Sequence, residues 1–104
     1  MCIRDRYKAA RRAVLETVGF GDAKVYPSWS PDGNWAGYAD SATKSVFINL
    51  TKINVLSSLG ANVETILHER AHIDVGAEHG HSVTFTNRLH DLNAAFIDRF
   101  QLAP

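Results

Sequence analysis

Apolar residues recur along the chain in two rhythms, and the rhythms divide it. In residues 7–19, Ala10, Val14 and Val18 repeat every four positions with Leu15 beside them, while Lys8, Arg11, Arg12 and Glu16 take the other side. That spacing predicts an amphipathic helix, stopped by Gly19 and Gly21. The middle third changes to short runs. Residues 23–26 are β-prone and end at Pro27. Ser30-Pro31-Asp32-Gly33 reads as a turn, with Pro fixing φ at its second position. Residues 35–40 read as a second strand. In residues 45–50 (SVFINL), Val46, Ile48 and Leu50 alternate with Ser45, Phe47 and Asn49, the pattern of a half-buried strand. A small antiparallel sheet with a hairpin at 35–50 is expected.

The rhythm then returns to a helical period. Residues 51–61 are ambiguous: Ile53, Leu56 and Leu59 fit a short helix or an ordered loop, and Gly60 ends it. Asn62 is a plausible N-cap. Val63, Ile66, Leu67 and Ala71 form an apolar stripe running to Val75, and Gly76 suits a C-cap. Gly80 marks a turn. Ser82 can cap a last helix over 83–100, with Phe85, Leu89, Leu92, Phe96 and Phe100 on one face. Helices flanking a short run of strands predict an α+β fold, and 104 residues suffice for a single domain over 1–104.

Composition narrows the function classes. Apolar residues at 45% and charged residues at 21% favour a folded core over disorder. Eleven basic residues balance eleven acidic ones, so the excess cationic charge that binds nucleic acid is missing. The cluster Arg4, Arg6, Lys8, Arg11 and Arg12 reads as a solvated helix face rather than a phosphate patch. No apolar run approaches the roughly 20 residues of a membrane span, and no signal peptide is seen, so a cytoplasmic location is the default expectation. Cys2 is the single cysteine, which excludes an internal disulfide framework. Met1 to Arg6 (MCIRDR) resembles translated sequencing-adapter sequence and could be non-native, so no function is read from these residues.

Histidine is the compositional anomaly. His68, His72, His79, His81 and His90 all fall in the last 37 positions, and none in the first 67. His68-Glu69-Arg70-Ala71-His72 is an H-E-x-x-H on a predicted helix. Residues four apart share a helix face, so both imidazoles can reach one Zn²⁺ at about 2.0–2.1 Å. Glu69 lies between them, placed to accept a proton from a metal-activated water attacking a carbonyl. The pattern arises by chance in roughly 1% of shuffled chains of this composition. Catalytic zinc takes three protein ligands and keeps a fourth position open. His81 is the preferred third ligand, because it directly precedes the last helix. His79 is the alternative, and Glu78 a weaker one. His90 sits mid-helix and reads as a surface residue. Phe85, Phe96 and Phe100 read as core. Trp29, Trp35 and Tyr38 could line a substrate cleft but read first as packing across the sheet, and Tyr38 or Tyr26 could polarise a substrate carbonyl.

The stretch TILHERAHIDVGAEHGHSVTF, residues 65–85, resembles the active-site segment of SprT-like and other minimal zincin metallopeptidases. His81, Ser82 and Phe85 fill the places of the family's later histidine, small residue and aromatic. The resemblance implies a zincin-like fold with an N-terminal helix, a small mixed or antiparallel sheet, the H-E-x-x-H helix and a C-terminal helix. It also implies zinc as cofactor and proteolysis of a peptide or protein substrate. The strand at 45–50 would then be the edge that pairs with extended substrate. Arg70 and Ser82 depart from the family pattern, where an apolar residue and a glycine are usual. Two other readings use the same residues: a regulatory protease that clears a repressor, and a non-catalytic module in which His68, His72, His79 and His81 close the metal. The second gives Glu69 no task.

Overall fold

The computed structural model describes residues 3–52, 58–76 and 80–102. Helix α1 spans Ile3–Thr17, strands β1, β2 and β3 span Lys24–Ser28, Gly37–Asp40 and Ser45–Asn49, and helices α2 and α3 span Leu59–Val75 and Val83–Leu102. The chain is therefore α+β, with three helices and a three-stranded sheet. None of its helices, among the described residues, is long and apolar enough to cross a membrane.

Sheet order is β1-β3-β2. The β2–β3 hairpin is antiparallel, with Tyr38 opposite Phe47 and Ala39 opposite Val46. β1 instead pairs β3 in parallel, with Val25 beside Val46 and Tyr26 beside Phe47. The sheet is thus mixed, not purely antiparallel, and β3 is its centre rather than an edge. The expectation that residues 45–50 offer a free edge is overturned: β1 and β2 occupy both sides of β3. Val46 and Ile48 are fully buried on the face that meets the helices. On the outer face Tyr26, Phe47, Tyr38 and Trp35 form a cross-strand aromatic row with successive ring centroids 5.9, 6.4 and 6.1 Å apart.

The turn before the hairpin is held from below by one side chain. Asn49 is fully buried. Its Nδ2 donates to the carbonyls of Ser30 and Trp35, both at 3.0 Å. Its Oδ1 accepts from the Thr51 hydroxyl at 2.7 Å and from the Ser30 and Thr51 amides at 3.3 and 3.2 Å.

Helix α2 packs against α1, α3, β2 and β3. A helix so enclosed needs buried residues most of the way round, and Val63, Ile66, Leu67, Ala71 and Ile73 supply them. Full burial of Ile66 and Leu67 contributes about 2 kcal/mol each. The helix begins one turn before the expected N-cap. Ser58 is the cap, its hydroxyl accepting from the Ala61 amide at 3.1 Å. Asn62 lies inside the first turns, buried, with Nδ2 donating to the Ser58 carbonyl at 2.8 Å. Gly76, at φ 91°, ends the helix where the sequence placed the stop. Ile53 and Leu56 lie outside the described residues.

Arg70 is buried, at the position where an apolar residue is usual. Its Nη1 donates to the carbonyls of Val18 and Gly19, and its Nε lies 3.3 Å from Asp74. The guanidinium therefore ties the end of α1 to α2 and satisfies carbonyls that the helix leaves open. Gly21, at φ 61°, runs against it: a Cβ there would stand 3.1 Å from Arg70 Nη2. Asp74 also accepts from Arg88 at 2.8 Å, which links α2 to α3.

Helix α1 starts earlier than its periodic stripe, with Tyr7, Ala10 and Val14 buried and Leu15 turned to solvent at 49% exposure. On α3, Phe85 and Leu92 enter the core, and Leu89 and Phe96 pack against it. The Phe100 side chain lies outside the described residues.

Candidate metal centre

His68 and His72 stand one turn apart on α2, with ring centroids 5.0 Å apart. His81 comes from the turn before α3, and its ring lies 5.3 Å from that of His68 and 4.8 Å from that of His72. The chain reverses at Gly80, at φ 50°, and Ser82 caps α3 by accepting from the Phe85 amide at 3.5 Å. The cap fixes His81 against α2. Three helical-turn and cap rules thus place three imidazoles at one point.

One ligand nitrogen from each ring lies within 4.8 Å of the others, close enough for all three to bind one metal ion. Two nitrogens on a tetrahedral zinc with bonds of 2.0–2.1 Å stand about 3.3 Å apart. His68 Nε2 and His81 Nε2 are already 3.3 Å apart. Burial, and the charge of the neighbouring imidazoles, lower the pKa of His68 and His72 below the ordinary histidine value. Both effects favour the neutral ring, the form that ligates a metal.

Phe85 forms the floor of the cluster. Its ring stacks on His72 at 4.2 Å and meets His68 and His81 edge-on at 5.0 Å each. In the sequence it reads as a core residue and as the aromatic of the resembled segment; its placement one turn past His81 is the signal that it also backs the ligands.

Glu69 is 8% exposed. Its Oε1 lies 3.9 Å from His68 Nε2, beside the cluster. Burial pushes its carboxyl up to about 7. The wall over it is backbone: a Cβ on Gly37 would stand 2.8 Å from Glu69 Cγ and 2.8 Å from Thr65 Cγ2. Sequence reading missed Gly37, since only the approach of β2 to α2 gives its missing side chain a purpose.

Two clefts open on Glu69 and His68 from opposite ends of this contact. One, of about 450 Å³, is lined by Ala36, Gly37, Glu64, Thr65, Leu89 and Asn93. The other, of about 510 Å³, continues past Tyr38, Ala39 and Ser41 to His72 and His81. β2 borders both, and its outer edge pairs with no described strand.

The expected residues divide accordingly. His68, His72, His81 and Glu69 come together. Tyr38 lines the second cleft, 53% exposed, whereas Tyr26 lies on β1, across the sheet. Trp29 lines a separate hollow with Pro27 and Leu50, so it is not part of the cleft. His90 is exposed on α3, away from the cluster. His79 and Glu78 lie outside the described residues. Comparison with protein-family models, curated proteins and solved structures finds no match for this chain.

Proposed function

We propose that this protein is a zinc-dependent peptidase, with His68, His72 and His81 as metal ligands and Glu69 as general base. The observation that carries the reading is the convergence of three ligand nitrogens within 4.8 Å beside a buried carboxylate that is not needed as a ligand. Three imidazoles with an adjoining open cleft suit zinc in a site with a free coordination position. When bound there, zinc would supply the positive charge that polarises a carbonyl and acidifies water.

The chain's own residues account for the rest. The three neutral imidazoles hold the ion between α2 and the start of α3. Glu69 accepts the proton of the attacking water and returns it to the departing amine, a task suited to a buried carboxylate that stands beside the ligands and is not itself one. The open edge of β2 can pair with an extended peptide, its backbone groups laying the substrate across both clefts. Gly37 keeps that edge close to Glu69 without displacing it. The resemblance of residues 65–85 to SprT-like and minimal zincin peptidases agrees with this assignment.

The test is zinc stoichiometry combined with proteolysis of a casein-type substrate by wild type and Glu69→Gln. One zinc per chain in both proteins, with activity in wild type alone, is the expected result. Zinc bound by both with no proteolysis by either would replace the peptidase with a structural zinc module.

A further inference from the structure

Resting on the peptidase reading, we infer that the cleft between α2 and α3 receives a basic side chain of the substrate, and that Glu64 is the residue that selects it. This cleft adjoins Glu69 and His68, so a side chain within it belongs to a residue next to the cleaved bond. Its volume of about 450 Å³ has room for a long side chain.

The lining fits one chemistry. Leu89 and Ala36 offer apolar surface along which a methylene stem can lie. Glu64 stands four residues before His68 on α2, about 6 Å along the axis, at the far end of the cleft from the metal ligands. It is exposed and makes no hydrogen bond or ion pair with another described residue. Thr65 is already engaged, its hydroxyl donating to the Ala61 carbonyl at 2.9 Å. From α3 the cleft receives Leu89 and Asn93, and from the β2 side Ala36 and Gly37, all uncharged. No lysine or arginine lines it. A cationic head at the Glu64 end meets a carboxylate and the Asn93 amide, and stands well away from the metal. An acidic side chain reaching that end would be repelled by the Glu64 carboxylate.

The test uses zinc-loaded protein and quenched peptides that carry lysine, norleucine or glutamate in turn at each residue flanking the cleaved bond. Norleucine keeps the stem and removes the charge. Because Glu64 is exposed, the expected preference in kcat/KM for lysine over norleucine at one position is about fivefold. Glu64→Gln should remove that preference with thermal stability unchanged, and Glu64→Lys should turn it toward glutamate. The same peptides are titrated by fluorescence anisotropy onto zinc-loaded Glu69→Gln, with and without Glu64→Gln. Binding that favours lysine only when Glu64 is present supports the assignment even where no peptide is cut, an outcome that would remove the peptidase reading instead. Lysine and norleucine peptides that bind or react equally, or a preference that survives Glu64→Gln, overturn it.

Discussion

Replacing Glu69 by glutamine in the metal-free protein should stabilise the fold, and only above acid pH. The side chain is 8% exposed, and burial raises its pKa from the ordinary 4.5 to about 7. Below the lower value the carboxyl is neutral in both folded and unfolded chains, so the substitution changes little. Between the two values the unfolded chain releases the proton while the folded chain retains it. Wild-type stability therefore falls as pH rises through this window. At about 1.4 kcal/mol per pH unit, the full loss is about 3 kcal/mol. This is a ceiling, because both clefts admit water to the carboxylate. Glutamine has nearly the same shape and no proton to release. The lowered pKa values of His68 and His72 act in the opposite sense, with stability lost as pH falls below the ordinary histidine value. They act in both proteins and largely cancel in the difference. Urea unfolding in the presence of a chelator, from near pH 4 to near pH 8, should show equal stabilities at the acid end and a more stable variant at the alkaline end. In thermal melts that ceiling corresponds to a shift of at most roughly 12–24 °C. A difference that does not change with pH, or a variant that is less stable near pH 8, refutes the argument that desolvation controls this carboxyl.

Gly37→Ala would drive a methyl into Glu69 and Thr65; proteolysis should fall at least tenfold while zinc stoichiometry, read by atomic absorption, stays at one. Asn49→Ala removes five hydrogen bonds from the buried hairpin support and should cost about 3 kcal/mol in chemical denaturation. His72→Ala should weaken zinc binding at least a hundredfold in a competition titration, whereas His90→Ala, exposed and outside the cluster, should leave it unchanged.

The metal cluster was legible because its geometry is local. Two histidines four apart on a helix, and a third beside the cap of the next, need only the helical repeat and a turn at Gly80. The helix bodies were legible for the same reason. What escaped depends on pairing across the fold. Alternation in residues 45–50 predicts a strand with one buried face, yet Ser45 and Asn49 on the other face are buried too, because alternation carries no information on what flanks the strand. The parallel arrival of β1 made that strand central and left β1 and β2 as the edges, with β2 the one that borders the clefts. Strand β2 also starts later than read, at Gly37, where the Trp35 carbonyl is taken by the Asn49 side chain instead of a strand amide. Asn62 looked like a cap because asparagine favours such positions, yet Ser58 stood four residues earlier and its hydroxyl took the role. Arg70 looked anomalous on a buried helix until the Val18 and Gly19 carbonyls just past α1 supplied partners 52 and 51 positions away in sequence.

The third histidine lies outside the helix that carries the other two, in the turn that leads into α3, and that has a consequence for stability. An ion held by all three bridges α2 to the entry of α3, so occupancy and folding become linked. Free metal at a hundred times its dissociation constant adds about 2.7 kcal/mol to the folded state. For a small domain that is a large share of the whole margin against unfolding. A chain without the ion would open more often to proteolysis, so its lifetime in a cell would follow the supply of that ion.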